Sequence, residues 1–141
     1  MEDMHNNITP KRVISPVALA DNTAAVGQII DRQGYEKLEY IIATGALPDA
    51  DATFTVLLEE GDAANLSDAS AVTDADLLGT EALASFTFAD DNKVFKLGYK
   101  GHKRYTRLTI TPANLAAGAE LVCAIAILGD PSIAPTANPP A

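Results

Sequence analysis

The chain has 141 residues, of which 48% are hydrophobic, and a formal net charge of −9. This length and apolar content support one domain with a buried core, whereas two domains of about 70 residues each would be marginal. The acidic charge disfavours binding to nucleic acid and to anionic membranes, because like charges repel. The single cysteine, Cys123, excludes a disulfide within the chain.

Targeting signals are not recognisable in the sequence. The first residues lack the basic and then apolar order of a signal peptide, and no apolar run reaches the roughly 18 residues of a membrane span. We therefore expect a protein without a membrane partner that is synthesised in a cytoplasm.

The two ends of the chain differ in composition from the middle. Residues 1–10 are mostly polar and carry no hydrophobic period, which predicts a flexible N-terminal arm. Residues 131–141 contain four prolines, and proline favours extended conformations without a backbone donor. We predict an arm at 1–10, a single domain at 11–130 and an extended proline-rich tail at 131–141.

Alternation of apolar and polar residues dominates the middle of the chain. Phe54, Val56 and Leu58 recur at every second position, as do Leu108 and Ile110. This period places side chains on one face of a half-buried strand. The predicted strands are Arg12–Leu19, Ala24–Ile30, Lys37–Ala43, Thr53–Glu60, Ala84–Phe88, Lys93–Leu97, Tyr105–Thr111 and Glu120–Leu128.

About eight short strands at close spacing predict an all-β fold of the jelly-roll or β-sandwich type, with a barrel as a related arrangement. In Ala84–Phe88 we expect Ala84, Phe86 and Phe88 to point inward. Residues 26–42 leave a strand hairpin and a helix open, because their apolar spacing partly fits both.

The segment Gly61–Glu81 is a long connection that is rich in Asp, Ala and Ser. A short helix is expected to start near Ser67 or Asp68, which are good N-caps. A connection of this length inside a compact domain usually marks a functional loop.

Both faces of the predicted strand Glu120–Leu128 are apolar. One face carries the larger residues, and the other carries Val122, Ala124, Ala126 and Leu128. The pattern fits a central strand buried on both sides, or a strand with one flat face packed against another chain. In the second case, the small residues Val122, Ala124 and Ala126 are the predicted seam for self-association.

Residues suited to catalysis are scarce. The two histidines, His5 and His102, have no cysteine or further histidine at ligand spacing, which argues against a transition-metal site. The serines stand in no G-x-S-x-G context, and a thiol in an apolar strand, such as Cys123, is usually inert. We expect no enzyme, no catalytic or metal-binding residue and no cofactor.

Spaced carboxylates suggest calcium as an alternative. They occur at Asp49-Ala50-Asp51 and at Asp74-Ala75-Asp76. Neither stretch has the ligand pattern, central glycine and closing glutamate of an EF-hand. We interpret both as solvated loop acids.

Charge is strongly segregated along the chain. All eleven charged residues from Asp49 to Asp91 are acidic, and all six from Lys93 to Arg107 are basic. This segregation fits either two opposite surface patches or neighbouring strands whose charges cancel within the molecule.

Part of the basic segment has the composition of an interface. Tyrosine and arginine are enriched at protein interfaces. Basic and aromatic residues together also occur in nucleic-acid sites, but the net charge of −9 argues against that function. We predict that an interface with another protein or with a second copy of the chain is formed by Tyr99, Lys100, Lys103, Arg104, Tyr105 and Arg107.

Several stretches between about Gln28 and Pro131 resemble cement proteins, the capsid-decoration proteins encoded in the head modules of tailed bacteriophages. They are Ile30–Gly34, Leu58–Glu60, Gly98-Tyr99 and Lys103–Tyr105. The resemblance implies a jelly roll on the outside of an icosahedral capsid, self-association into a homo-oligomer, and binding to neighbouring major capsid proteins.

The expected function is therefore that of a structural virion protein, made in the bacterial host cytoplasm and located on the outer capsid surface. The alternative is a carbohydrate- or receptor-binding jelly-roll module of a phage particle. Against it stand the absence of tryptophan and an aromatic content of 6%, because sugar-binding surfaces usually expose aromatic rings.

Overall fold

A computed structural model describes residues 2–116 and 118–140, which form eleven strands, one short helix and two 3-10 turns. The elements are β1 Ile8–Leu19, β2 Ala25–Val26, β3 Ile30–Asp31, β4 Tyr35–Thr44, β5 Thr53–Gly61, β6 Ser70–Ala71, β7 Leu77–Leu78, α1 Glu81–Ala84, β8 Phe86–Thr87, β9 Val94–Tyr99, β10 Tyr105–Ala113 and β11 Glu120–Pro131. Among the described residues, no helix is long and apolar enough to cross a membrane.

The strands form two antiparallel sheets. The first sheet has the order β1-β11-β4-β9-β7. The second is built on the long pair β5 and β10, with β2 and β3 along the free edge of β10 and β6 and β8 along that of β5. The prediction of an all-β jelly roll or sandwich is confirmed, with eleven strands in place of about eight.

The core lies where the inner faces of the two sheets meet. Phe54, Val56, Leu58, Leu108 and Ile110 are each at most 2% exposed. The predicted period of two on β5 and β10 is therefore confirmed. Burying a side chain of this size contributes roughly 1.5–3 kcal/mol, so these two strands supply much of the apolar stabilisation.

A hydrogen bond between Tyr40 and Thr106 crosses this core from sheet to sheet. The hydroxyl oxygen of Tyr40 on β4 lies 2.6 Å from Oγ1 of Thr106 on β10, and both residues are fully buried. A buried hydroxyl without a partner costs about 1–3 kcal/mol. The pair therefore favours one relative position of the two sheets over neighbouring ones.

The first sheet has a long edge strand. β1 pairs only with β11, and its register with β11 shifts between Arg12 and Ile14 and again between Ile14 and Val17. Pro10 and Pro16 lie in the same strand and have no backbone donor. Bulges and prolines make an edge a poor template for further strands.

Residues 26–42 form strands, which excludes the helical alternative, but they do not form a hairpin. β3 pairs with β10 and β4 pairs with β11 and β9, so the turn at Gly34 carries the chain from one sheet to the other. The predicted strand Ala24–Ile30 is interrupted at Gly27, where a Cβ would lie 2.5 Å from the carbonyl oxygen of Leu108. This close approach of backbones breaks the strand into β2 and β3.

The predicted strand Ala84–Phe88 is shorter than expected. Thr80 caps α1 by accepting a hydrogen bond from the Leu83 N–H at 3.0 Å, so Ala84 is helical. Phe86 points inward and stacks on Phe54, but Phe88 is 41% exposed. The alternation stops because β8 ends at Thr87 and the chain turns there, so the prediction of an inward Phe88 was wrong.

The connection from Gly61 to Glu81 contains β6, a 3-10 turn at Asp74–Asp76 and β7, but no helix at Ser67 or Asp68. The Asp68 carboxylate accepts hydrogen bonds from the backbone N–H groups of Asp62 and Ala63 at 2.8 and 3.2 Å. This side chain therefore closes its own loop and does not cap a helix as predicted.

The two ends of the chain contact each other. The predicted arm, described from residue 2, holds a 3-10 turn at His5–Asn7 and the start of β1, and β11 continues through Pro131. Thr136 donates from its N–H to the Asn6 carbonyl at 3.0 Å and from its hydroxyl to the Ile8 carbonyl at 2.6 Å. Unlike the predicted free arm and tail, these segments hydrogen-bond to each other; Met1 and Ala141 lie outside the described residues.

The hydrogen bond between the sheets gives a first prediction. The single change Tyr40→Phe leaves the Thr106 hydroxyl buried without its partner and should lower the free energy of unfolding by about 1–3 kcal/mol. The double variant Tyr40→Phe with Thr106→Val removes both polar groups and should be closer to wild type. Urea unfolding of the two single variants and the double variant measures the coupling; additive losses would contradict the proposed role of this bond.

Candidate functional site

The predicted interface segment connects the two sheets at one end of the sandwich. It comprises the end of β9, a loop at 100–104 and the start of β10. Arg32 braces the loop, because its Nε donates to the Lys103 carbonyl at 2.9 Å and its Nη2 to the Gly101 carbonyl at 3.2 Å. The six predicted residues lie in this one segment, and three of them, Lys100, Lys103 and Arg104, are on the loop that the Arg32 guanidinium holds.

Tyr99 differs from its predicted role. The residue is 1% exposed. Its hydroxyl donates a hydrogen bond to the Glu60 carboxylate and accepts one from the Lys103 N–H, with 3.0 Å between the Lys103 nitrogen and the Tyr99 oxygen. Burial and the hydrogen bond to Glu60 raise the pKa of the Tyr99 hydroxyl. The Arg32 guanidinium lies 4.8 Å from the centre of its ring. Tyr99 thus links β9 to β5 in the second sheet, and it has no face free for a partner.

Three of the four predicted cations are paired within the molecule. Lys103 Nζ lies 2.9 Å from Asp62, Arg104 binds Asp31 through two nitrogens at 2.8 and 2.9 Å, and Arg107 lies 3.0 Å from Glu59. Arg107 and Glu59 are direct partners in the register of β10 and β5. Of the two alternatives for the segregated charge, internal cancellation therefore accounts for these three residues.

Lys100 and Tyr105 remain available at the surface. Lys100 is exposed and Tyr105 is half-buried beneath the Arg104 guanidinium, 5.0 Å from its ring centre. Lys100 lines a shallow basic depression of about 390 Å³ together with Arg32, His102 and Arg104. The predicted interface is thus reduced to an exposed rim around Lys100, and its role in binding stays a prediction.

One of the spaced loop carboxylates, that of Asp49, accepts hydrogen bonds from backbone N–H groups. Asp49 Oδ2 accepts from Ala116 and Gly118 at 3.1 and 2.9 Å. Asp74 and Asp76 lie in a 3-10 turn. Within the described ranges, no three His, Cys, Asp or Glu residues are grouped so that they could hold a metal ion.

Glu120 is a buried carboxyl that the sequence does not reveal, because an acid at the first position of a strand is ordinarily exposed. Its side chain is fully buried, and Oε1 accepts from the Asp49 N–H at 2.8 Å. Its Oε2 is buried without a hydrogen-bond partner. Burial and the charges of Asp49 and Asp91 raise the pKa of this carboxyl.

The face of β11 that was predicted to form an intermolecular seam points into the core. Val122, Ala124 and Ala126 are at most 3% exposed and pack into the core. The exposed face carries the larger residues instead, with Leu121 at 44% and Ile125 at 39%. These small residues belong to the same buried core cluster as Tyr40, Phe54 and Phe86. The prediction that Val122, Ala124 and Ala126 form an intermolecular seam was therefore wrong.

The outer face of the five-stranded sheet includes three rows across the strands, and Leu121 on β11 lies beyond the first of them. The first row is Cys123, Ala43 and Val94; the second is Arg12, Ile125, Ile41 and Lys96; the third is Pro10, Ile127, Glu39, Gly98 and Leu78. A shallow depression of about 320 Å³ borders the first row and is lined by Val17, Ala43, Leu121 and Cys123, among others. The centre of this outer face is apolar, and its charged side chains lie towards the sides.

A larger groove of about 690 Å³ runs between β1 and the segment that contains β3. Its lining includes Arg12, Gln28, Gln33, Tyr35 and Pro140. The Tyr35 hydroxyl lies 2.6 Å from Thr9 Oγ1, which holds the ring in place. These residues come from distant parts of the sequence, so no local pattern could have indicated the groove.

The pair Arg107–Glu59 gives a second prediction. The change Arg107→Glu puts two carboxylates opposite each other on β10 and β5 and should destabilise the fold by about 1–2 kcal/mol, which lowers Tm by roughly 3–6 °C. The charge swap Arg107→Glu with Glu59→Arg should recover most of this loss. A swap variant that melts no higher than Arg107→Glu would contradict the pairing.

Glu120 gives a third prediction, on pH. A carboxyl with a raised pKa in the folded state contributes stability in acid, and this contribution is lost as the pH rises through that pKa. Glu120→Gln should therefore raise the free energy of unfolding at about pH 8 and change it less at about pH 4, where wild-type Glu120 is largely protonated. Urea unfolding at both values tests this; an equal gain at both would show that its charge is not the cause.

Comparison with known proteins establishes the fold. No family model matches the chain, and neither does a curated protein sequence. Among solved structures, the xylan-binding module CBM15 is similar, with a TM-score of 0.51 at 13% identity over 94% of this chain and 96% of that module. The SPBc2 prophage-derived protein YomS has a TM-score of 0.46 at 11% identity, covering 86% of this chain and 95% of its own. A chain of Mud crab tombus-like virus has a TM-score of 0.29 at 13% identity, covering 94% and 86%. At these identities, the likeness to the xylan-binding module shows a shared β-sandwich fold alone.

Proposed function

We propose that the chain is a structural protein of a phage particle that cements or decorates the outside of an icosahedral capsid by bridging major capsid subunits. Its sequence from about Gln28 to Pro131 resembles cement proteins. The structural observation that carries the proposal is the braced loop at 100–104, which presents Lys100 and His102 on the end of a rigid sandwich. In this proposal the chain acts by binding alone, without catalysis or a cofactor.

The chemistry of the loop suggests how binding to a capsid protein occurs. Lys100 is exposed, and the paired side chains of Lys103 and Arg104 are still 47% and 44% exposed. Each of these cations can donate a further hydrogen bond to a carboxylate or carbonyl oxygen of a partner. Single exposed ion pairs contribute only about 0–1 kcal/mol, but a rigid subunit that touches two neighbours on a lattice combines them through avidity.

The proposal gives a fourth prediction. Lys100→Glu reverses the charge of the exposed rim without breaking a described ion pair, so Tm should stay near that of wild type. Loss of about 1 kcal/mol per contact weakens binding roughly fivefold, and retention on expanded phage shells, measured by co-sedimentation, should fall accordingly. Arg104 and Arg107 are less suitable for this test, because changing them also breaks internal ion pairs.

Lys93→Glu is the control for the charge change itself, since it reverses an exposed lysine that lies before β9, away from the loop. Because it also breaks the ion pair between Lys93 and Asp90 at 2.9 Å, its Tm is measured as well. It should leave retention unchanged. Normal retention of a folded Lys100→Glu variant would refute the assignment of this loop to the capsid contact.

A second candidate function is carbohydrate binding, favoured by the groove between β1 and β3. Glutamine amides, an arginine and one tyrosine ring line this groove, and such groups can hydrogen-bond to and stack on a sugar. A glycan array tests it. Binding that is lost in Gln28→Ala would support this function, and no binding to any glycan would count against it.

A further inference from the structure

We propose that the outer face of the five-stranded sheet is the surface through which two copies of this chain associate, face to face, as a two-fold dimer. The proposal does not depend on the proposed function, because it applies whether or not the chain binds capsids. It replaces the seam expected from the sequence with the opposite face of β11.

The first argument is the concentration of exposed apolar groups. Eleven large apolar side chains of the described residues are exposed, and four of them lie on this one face. Their exposures are 52% for Leu78, 67% for Val94, 44% for Leu121 and 39% for Ile125. Between them lie the half-buried Ile41, Ala43, Cys123 and Ile127. A contiguous apolar patch with a polar rim usually marks an association surface.

The second argument is the size of the face. The strands β1, β11, β4, β9 and β7 contain 12, 12, 10, 6 and 2 residues, and these lengths, at about 3.4 Å per residue and about 4.8 Å between strands, set the area of the face. This is about 700 Å² per copy, or about 1,400 Å² for two copies, which lies within the range of about 1,200–2,000 Å² for stable interfaces. Sheets stack face to face readily, with their strand directions about 30° apart.

The third argument is charge, and it favours a second copy. Two molecules of net charge −9 repel each other over most of their surfaces. The outward-facing positions of the paired strands in this sheet, however, carry three cations, Arg12, Lys37 and Lys96, and one acid, Glu39. Contact through this face therefore brings together the part of each copy that adds least to the repulsion. A flat face that meets itself across a two-fold axis also needs no separate complementary surface.

The test is the oligomeric state in sedimentation equilibrium. Wild type should be a dimer at about 100 µM, which is above the micromolar upper end of dissociation constants for interfaces of this size. Ile125→Asp places a carboxylate at the centre of the second row, twice in each dimer. It should raise the dissociation constant at least about a hundredfold.

Leu57→Asp is the matched control. Leu57 is 38% exposed, almost the same as Ile125, but lies on the outer side of β5 in the other sheet. This variant should remain a dimer. A monomeric wild type would overturn the proposal and leave the face to a different partner, and a folded Ile125→Asp variant that still dimerises would overturn it too.

Alkylation of Cys123 gives a second measurement that needs no variant. This thiol is free and half-buried in the first row. In wild type, its reaction with iodoacetamide should be slow at high protein concentration and should accelerate on dilution as the dimer dissociates. A rate that is independent of protein concentration would overturn the proposal, even if Ile125→Asp fails to fold.

Discussion

Two tyrosine hydroxyls, buried between the sheets, set the geometry on which the rest of the molecule depends. Tyr40 on β4 and Tyr99 on β9 belong to one sheet, and their partners Thr106 and Glu60 belong to the other. Apolar packing alone is tolerant of small shifts, whereas a buried hydroxyl needs its partner at hydrogen-bond distance. The two bonds thus select one alignment of the sandwich. They also anchor both ends of the loop at 100–104, since Tyr99 precedes it and Thr106 follows it.

The same alignment of the sheets determines which charged residues are neighbours. The acidic and basic segments of the sequence become neighbours in space, because β5 and β10 are paired along their whole length. The ion pairs at Arg107 and Lys103 are one result. Lys103 and Arg107 are paired with the acidic segment and Arg104 is paired with Asp31, so specificity towards a partner rests on the few side chains at the rim of the loop.

The sequence predicts those features that depend on the alternation of residues within a single strand. Alternation on β5 and β10 gave the correct inward residues. On β11 the same method has no contrast to use, because both faces are apolar, so the pattern does not select the inner face. Two-residue strands such as β6 are too short to show a period. The partners of Glu120 and Tyr99 come from loops and strands far away in sequence, so their burial depends on tertiary structure.

The bulged, proline-containing edge strand β1 has a consequence for how copies of this protein can add to one another. An open, regular edge would let strands of successive molecules join side by side without limit, as in a fibril. Pro10 and Pro16 and the two register shifts remove that direction of growth. Association of copies is therefore directed away from the sheet edge and towards contacts that close on themselves, so that growth ends at a small number of copies.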